Sequence, residues 1–163
     1  MKKLVHNITI SVFEKNIERI KDINLVFYKL LPIDFVKENI SINHEKIEGM
    51  QNQIINILTL DINKQKHTSI VLQNLFDNLS INDKKTIKEQ YDLRLDNEGH
   101  LYIRIDKNQL FHDKYSLTDS GDCFHFKIKI AAFPAKRDSF VKSLFELFET
   151  LGCPKINIDN NSG

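Results

Sequence analysis

Apolar and polar side chains alternate strictly along residues 122–133, DCFHFKIKIAAF. The apolar positions are Phe124, Phe126, Ile128, Ile130 and Ala132, and the polar positions between them are Cys123, His125, Lys127 and Lys129. A period of two over this length predicts a half-buried antiparallel strand. We therefore expect a sheet with one buried face and one open face, and we expect the open face to be basic at this strand.

The same period of two predicts four further strands. They lie near residues 4–13, 38–48, 53–61 and 101–105. The second and third strands are separated by a turn around Gly49, and we expect them to form a hairpin. Both faces of the third strand are apolar, so we expect it to be central in the sheet or covered on both sides.

Apolar residues spaced three and four apart predict four helices between the strands. The first follows the capping residue Asn16, the second covers about residues 64–79, the third follows Ser80, and the last follows Pro134. Ser80 and the capping residue Asn16 have the side-chain oxygen that favours a helix start. We expect residues 107–121 to be a polar connection.

The elements follow in the order strand, helix, two strands, two helices, two strands, helix. This order favours an α+β fold, a two-layer sandwich with a mostly antiparallel sheet of about five strands and helices packed on one face. At this length we predict a single domain over residues 1–154 and a flexible tail over residues 155–163. The open face then collects polar residues: Asn7, Thr9, Ser11, Ser41, Asn43, Tyr102, Arg104, His125, Lys127 and Lys129.

Composition limits the classes of function. Lys and Arg number 23, Asp and Glu number 22, and the formal net charge is +1. A chain with this balance is not expected to coat nucleic acid, so any contact with a polyanion requires a local cationic patch. Without a signal peptide or an apolar run of membrane-spanning length, we predict a cytoplasmic protein with no membrane partner. Cys123 and Cys153 are then expected to be free thiols.

Catalytic and cofactor motifs are missing from the sequence. Its five glycines form no phosphate loop or dinucleotide fingerprint, and its cysteines and histidines have no zinc-site spacing. Cys123 and His125 share one strand face, which would suit a thiolate–imidazolium pair. We favour the alternative, a buried thiol beside a surface histidine. We therefore predict no catalytic residues, no metal and no cofactor.

Cations gather around the last two predicted strands. Lys127 and Lys129 lie on one strand face, and Tyr102 and Arg104 lie beside them if these two strands pair. An aromatic ring among cations suits RNA, because bases stack on Tyr and on guanidinium planes. The alternative is that these charges only keep the open face soluble.

Two more cations open the last predicted helix. Lys136 and Arg137 come directly after the Pro134 segment, in the first helical turn. The backbone amides and the dipole at a helix N-terminus favour a phosphate there. Lysine is not favoured at this position by the dipole itself, so its presence is better explained by anion binding than by helix stability.

Three further blocks of the chain are residues 44–49, HEKIEG, residues 98–109, EGHLYIRIDKNQ, and residues 133–137, FPAKR. These blocks resemble those of an archaeal family of predicted RNA-binding proteins that has been proposed to associate with the exosome. Residues 98–109, EGHLYIRIDKNQ, are similar to the family block dxGnLylRlDKQ. Lys127, Lys129 and residues 133–137, FPAKR, are similar to a basic strand that ends in AYPxKR. Residues 44–49, HEKIEG, and the strand after them are similar to an EGxxGNPI hairpin.

The resemblance covers about residues 4–150 and implies a two-layer α+β sandwich like that of a large-subunit ribosomal protein. It implies RNA binding without known chemistry. The chain departs from the family at residues 13–16, where relatives have a TED-like turn, and at residues 51–53, where they have Gly-Asn-Pro. The candidate RNA-binding residues, from the basic face and from the matching blocks, are Tyr102, Arg104, Lys107, Gln109, Lys127, Lys129, Lys136 and Arg137.

We therefore expect a non-catalytic protein that binds RNA through a basic sheet face and the N-terminus of its last helix. Its further partners would be the exosome or other RNA-processing proteins. The alternative is a protein-interaction subunit or a homodimeric structural protein without direct RNA binding, because exposed edge strands can pair between copies.

Overall fold

Five strands and six helices form the computed structural model, which describes residues 2–156. The strands are β1 (Val5–Glu14), β2 (Asn43–Glu48), β3 (Ile54–Ile62), β4 (His100–Asp106) and β5 (Cys123–Ile130). The helices are α1 (Ile20–Leu30), α2 (Gln65–Asn78), α3 (Ile81–Glu89), α4 (Tyr91–Arg94), α5 (Lys107–Phe111) and α6 (Arg137–Thr150). The predicted α+β fold is confirmed. Within the described range no helix is long and apolar enough to cross a membrane.

The strands form one sheet in the order β2-β3-β1-β5-β4, and every neighbouring pair is antiparallel. The N-terminal strand β1 is therefore central. It pairs with β3 on one side and with β5, more than a hundred residues later, on the other. β3 lies between β2 and β1, as its apolar character predicted. Its second face is not fully covered, since Ile55 and Ile57 remain partly exposed.

The core lies between one face of the sheet and the helices. Phe27 of α1 meets Phe124 of β5 edge to face, with ring centroids 5.6 Å apart. Full burial of each such side chain contributes roughly 1.5–3 kcal/mol, and a register slip of one residue would expose a whole strand. The sheet contributes the following buried residues: Ile8, Ile10, Val12, Leu58, Leu60, Ile62, Leu101, Ile103, Ile105, Phe124, Phe126, Ile128 and Ile130.

Two of the predicted helix caps are confirmed by hydrogen bonds. The Asn16 side chain accepts from the backbone N–H of Glu18 at 3.0 Å, in a short 3₁₀ turn that leads into α1. The Ser80 side chain accepts from the backbone N–H of Asp83 at 3.0 Å and begins α3. Each bond satisfies an amide that the first helical turn leaves without a partner.

Two predicted boundaries were wrong. The second strand begins at Asn43 rather than at residue 38, because residues 34–39 form a turn in which the Asp34 carboxylate accepts from two backbone amides. The polar connection after β4 begins with a helix, α5. The Asp106 side chain accepts from the Gln109 amide at 2.8 Å and so caps this helix directly after the strand.

The C-terminal part of the described chain closes the core. α6 ends before Gly152, which has a φ of +73° and so adopts the left-handed conformation that ends many helices. Cys153 follows and is buried, and both Cys153 and Cys123 are free thiols. The predicted flexible tail at 155–163 lies, from residue 157 onward, outside the described residues.

Candidate functional site

The second face of the sheet carries polar side chains that remain at least partly exposed, because the apolar stripes of the helices pack on the other face. β4 and β5 pair as predicted. Tyr102 lies opposite Lys127, and Arg104 lies opposite His125. On the other side of β5, Lys127 faces Thr9 of β1. We call the set Tyr102, Arg104, His125, Lys127 and Lys129 the basic face.

Lys127 lies at the centre of the basic face. It is exposed, and no carboxylate oxygen lies within 4.0 Å of its Nζ among residues 2–156. An acidic residue does lie on this face, since Thr9 donates a hydrogen bond to the Asp61 carboxylate at 2.8 Å. That carboxylate is on β3, two strands away from Lys127. The ammonium charge is therefore available to a ligand.

Arg104 is also exposed. Its Nη1 donates to the backbone carbonyl oxygen of Asp119 at 3.1 Å, and this fixes the guanidinium against the loop before β5. A carbonyl does not neutralise a guanidinium, and no carboxylate of the described chain pairs with it. The remaining N–H groups of the fork can still donate in the bidentate geometry that suits phosphate.

His125 lies next to these two cations on the basic face. The pKa of His125 lies below its usual value, first because the ring is partly buried and then because Arg104 and Lys127 repel its proton. Burial raises the pKa of the neighbouring Cys123 thiol. Both shifts favour the neutral forms of the two groups rather than a thiolate–imidazolium pair.

Tyr102 adds an aromatic ring to the basic face. Its hydroxyl donates to Asp96 Oδ2 at 3.0 Å, and its ring centroid lies 5.5 Å from that of His125. Burial, together with the hydrogen bond and the charge of Asp96, raises the pKa of Tyr102. The ring is therefore held in one orientation, with its hydroxyl protonated, beside Lys127.

Lys129 lies at the border of the basic face and is partly engaged. Its Nζ donates to the backbone carbonyl oxygen of Glu98 and lies 5.0 Å from the centroid of the Phe140 ring. The turn that supplies this carbonyl is acidic. Asp96, Glu98 and His100 bring their ligand atoms within 4.8 Å of one another. Asp96 accepts hydrogen bonds from the backbone amides of Glu98 and His100, so its carboxylate stabilises the turn.

The two cations at the start of α6 differ from each other. Lys136 is exposed, and the described residues place no carboxylate within 4.0 Å of it. Arg137 is anchored to α4 and the residue that follows it. Its guanidinium donates to Asp92 Oδ1 at 2.8 Å and to the carbonyl oxygen of Leu95 at 2.5 Å. Lys136 is therefore available to a ligand, whereas Arg137 holds the helix in place.

Lys107 and Gln109 lie on α5, beyond the end of the sheet. Lys107 is only 3% exposed, and its Nζ donates to the carbonyl oxygen of Phe13 at 2.7 Å and to Asp122 Oδ1 at 2.8 Å. It also lies 3.6 Å from Glu14 Oε1. The side chain of Gln109 is exposed, but α5 packs on α1 rather than on the open face. The structure thus brings together only the strand residues of the predicted set.

An apolar group on the same open face escaped the sequence prediction. Phe13 lies opposite Ile57, and Ile47 lies opposite Ile55, so the four side chains form a block across β1, β3 and β2. Phe13 is 56% exposed, and a cavity of about 750 Å³ lies beside the block. The signal was present, because Phe13 continues the alternation of Thr9 and Ser11. We call the four residues the apolar corner.

Comparisons with known proteins find a matching family and a similar curated protein. Residues 7–130 match the model of a protein family described as RNA binding. Over 144 residues the chain is 27% identical to RNA-binding protein PAB1135 from Pyrococcus abyssi (strain GE5 / Orsay), covering 88% of this chain and 94% of the relative.

Two solved structures share the fold. Protein AF2318 from Archaeglobus fulgidus superposes with a TM-score of 0.76 at 22% identity, over 88% of this chain and 99% of its own. A DUF54 protein from Methanothermobacter thermautotrophicus superposes with a TM-score of 0.70 at 20% identity, over 90% of this chain and 99% of its own. At these identities the structures establish the fold alone.

Proposed function

Because the chain belongs to the RNA-binding family, we propose that it is a non-catalytic protein that binds RNA on its basic face. The observation that carries the proposal is the pair Arg104 and Lys127. Both are exposed on a sheet face that the helices leave open, and no carboxylate within the described range neutralises either of them. Contacts from such cations to phosphates release counterions and supply affinity without reading sequence.

Each side chain has a separate role in this proposal. Lys127 contacts one phosphate as a point charge, and Arg104 contacts another through the fork of its guanidinium. Tyr102, held by Asp96, offers a ring face to a base. Lys136, exposed at the start of α6, extends the cationic surface beyond the sheet.

The other candidate residues support the surface without taking a phosphate. Lys129 and Arg137 already donate to protein carbonyls, so they contribute positive potential and fix the neighbouring elements. Lys107 is buried and ion-paired, and Gln109 lies on α5. We leave Lys107 and Gln109 outside the proposed contact surface.

The test is a salt titration of RNA binding with a triple variant. Arg104, Lys127 and Lys136 are changed to Gln, and binding of a fluorescent single-stranded RNA is followed by anisotropy between low and moderate salt. The matched control changes three exposed lysines outside the sheet to Gln: Lys21 on α1, Lys37 in the turn after α1 and Lys142 on α6. Both variants lose three positive charges, so only the location of the charge differs.

We expect the wild-type protein and the control to bind alike, with affinity that falls steeply as salt rises. The triple variant should bind weakly, and its slope of log affinity against log salt should be smaller by about 2, since each phosphate contact on a single strand contributes roughly 0.7. Equal binding and equal slopes in all three proteins would contradict the proposal.

Association with an exosome or another RNA-processing assembly is a finer proposal that the family resemblance suggests. Affinity purification from native extract, with and without ribonuclease, tests it. Partners that persist after ribonuclease contact the protein directly, and partners that disappear are tethered by RNA. Recovery of no RNA-processing protein under either condition would count against the association.

The homodimer alternative has less structural support. β2 is an edge strand, but its residues Glu45, Lys46 and Glu48 are charged and exposed, a composition that discourages pairing between edges. The outer edge of β4 already pairs within the chain. The Asp106 amide donates to the Ser116 carbonyl, and the Thr118 amide donates to the Arg104 carbonyl. We therefore keep RNA binding as the proposed function.

A further inference from the structure

The apolar corner consists of Phe13, Ile47, Ile55 and Ile57. It is a large apolar surface on a sheet face whose other exposed side chains are mostly polar. We propose that it holds an unstacked nucleobase of the same single-stranded RNA whose phosphates contact the basic face. The inference rests on the proposed function and assigns a second, base-binding site to it. The corner would make the protein select single strands, because a base within a duplex is not free to enter.

Exposure and shape point to a ligand at the corner. Phe13 is 56% exposed and Ile47 is 48% exposed, although both extend from paired strands beside a partly buried Ile55. Contiguous exposed apolar groups of this kind mark binding surfaces. The cavity beside them, of about 750 Å³, falls within the usual range of small-ligand sites, roughly 300–1,000 Å³. Its remaining lining is mostly charged: Glu14, Lys15, Arg19, Lys107 and Asp122, with Gly121. An exposed phenyl ring between isoleucines suits the flat face of a base.

The apolar corner is continuous with the basic face. Phe13 follows Ser11 on the open face of β1, Ser11 lies opposite His125, and His125 lies opposite Arg104. A smaller cavity of about 280 Å³, lined by all four of these residues, joins the two surfaces. From strand geometry the backbones of Phe13 and Arg104 are on the order of 12 Å apart. One strand of RNA can therefore contact both.

The distribution of charge on the open face determines how such an RNA strand lies across the sheet. Glu45 lies opposite Ile57, and Asp61 lies opposite Thr9, so the β2–β3 half of the open face is acidic. Phosphates are repelled from that half and attracted to Arg104 and Lys127 on the other half. A base is uncharged at neutral pH and is not repelled. The sugar–phosphate backbone should therefore follow β4 and β5, with the base directed toward β3.

A second copy of the chain is the other occupant to consider. The apolar corner presents four side chains, whereas a stable protein interface uses about 20–30 residues on each side. A two-fold axis through the corner would also bring the Glu45 carboxylates of the two copies close together. The observations therefore favour a small planar group over a protein surface.

The chain contains no Trp, which permits a direct optical test. Phe13→Trp places a single indole in the corner, and Val36→Trp places one at an exposed position in the turn after α1, where residue 36 is 89% exposed. The probes are a mixed-sequence single-stranded RNA 12-mer, an abasic sugar–phosphate 12-mer of the same length, and a blunt RNA duplex. Affinities are measured by anisotropy, and stacking is measured by indole fluorescence.

We expect the intact 12-mer to quench the indole emission of the Phe13→Trp variant and the abasic 12-mer and duplex to leave it unchanged. The emission of the Val36→Trp variant should not respond to any of them. Wild-type protein should bind the intact 12-mer roughly tenfold more tightly than the abasic one, since stacking of one base contributes about 1–3 kcal/mol. Phe13→Ser should reduce this preference to the part that stacking on Tyr102 supplies, and it should leave the salt slope unchanged. Phe13→Leu removes the ring but keeps an apolar side chain of similar volume, so it serves as the control in which packing is intact.

Three outcomes separate the alternatives. If intact and abasic 12-mers bind equally and Phe13→Trp is not quenched, the base site is wrong, while RNA binding on the basic face still holds. If neither 12-mer binds the wild-type protein, the proposed function itself is wrong. If sedimentation shows a dimer that Phe13→Ser converts to a monomer, the corner is a contact between copies and the base site is again overturned.

Discussion

Lys127 and Lys107 have the same side chain in two opposite settings. Lys127 lies in the middle of the open face, surrounded by Thr9 and Tyr102, and the described chain gives it no acidic neighbour within 4.0 Å. Lys107 lies at the end of the strands, almost fully buried, against Asp122 and Glu14. A lysine in a basic block is therefore available to RNA only where burial and ion pairing have not already used its charge.

The buried end of the sheet shows why Lys107 is not free. Glu14 is 6% exposed, and its carboxylate lies 3.5 Å from Arg19 Nε and 3.6 Å from Lys107 Nζ. A carboxylate at this depth requires opposite charges, and Lys107 bridges it to Asp122. The cluster joins β1, α5 and the segment before β5. Its cations stabilise the fold, whereas Lys127 on the basic face has no such partner among the described residues.

Replacing Lys107 or Lys127 by Met should give the largest difference in the free energy of unfolding. We expect Lys107→Met to lower the free energy of unfolding by about 3 kcal/mol, near the lower end for breaking a buried ion pair, because Arg19 remains beside Glu14. Lys127→Met should stay within about 0.5 kcal/mol of wild type. Urea denaturation of the two variants measures both values. Similar losses in the two variants would remove the distinction between the two settings.

Lys136 and Arg137, adjacent at the start of α6, provide a second comparison in which the expected difference in stability is smaller. Arg137→Ala should lower the free energy of unfolding by about 1.5 kcal/mol, because it removes charge-assisted hydrogen bonds to Asp92 and to the Leu95 carbonyl. Lys136→Ala should leave stability unchanged and weaken RNA binding in low salt. Thermal melts and anisotropy are measured on both variants. Loss of stability in Lys136→Ala would show that its charge is used by the fold.

The smallest expected effect concerns pH at His125. Its pKa in the folded protein lies below the usual 6.5, so the unfolded chain takes up the proton first. Stability should therefore decrease slightly as pH falls from about 6.5 toward the folded-state pKa, and His125→Asn should lack this decrease.

RNA binding should respond to pH with the opposite sign. Phosphates beside Arg104 and Lys127 favour the protonated His125 ring, so affinity should increase as pH falls through the same range. Denaturation and anisotropy at about pH 7.5 and 5.5, on either side of the usual histidine pKa, test the two signs in wild type and His125→Asn. If both proteins show the same pH dependence of RNA affinity, the ring does not face the bound phosphates.

Local patterns in the sequence predicted the two faces of the sheet because a strand has a period of two. The same alternation assigned Lys127 and Arg104 to the open face, and both lie there. The caps at Asn16 and Ser80 were also local, since each side chain bonds an amide within three residues. These two caps could therefore be predicted, whereas the equally local hydrogen bonds of Asp34 and Asp106 were missed.

The strand order could not be predicted, because it depends on which distant strands meet. The location of Lys107 could not be predicted either, because it depends on contact with Glu14, which is distant along the chain. Lys107 was predicted to lie in a polar connection, but Asp106 ends β4 and caps α5, and this places Lys107 against Glu14. The apolar corner required the β1–β3 and β2–β3 registers, which bring Phe13 and Ile47 together around Ile55 and Ile57.

The strand order also has a consequence for synthesis of the chain. Val5 of the central strand β1 pairs with Ile130 of β5, so one edge of β1 stays unpaired until a segment 125 residues later has been made. At about 5–20 residues per second, a ribosome needs roughly 6–25 s to reach it. During that interval the nascent chain carries an unpaired apolar strand edge, the kind of surface that chaperones protect from aggregation.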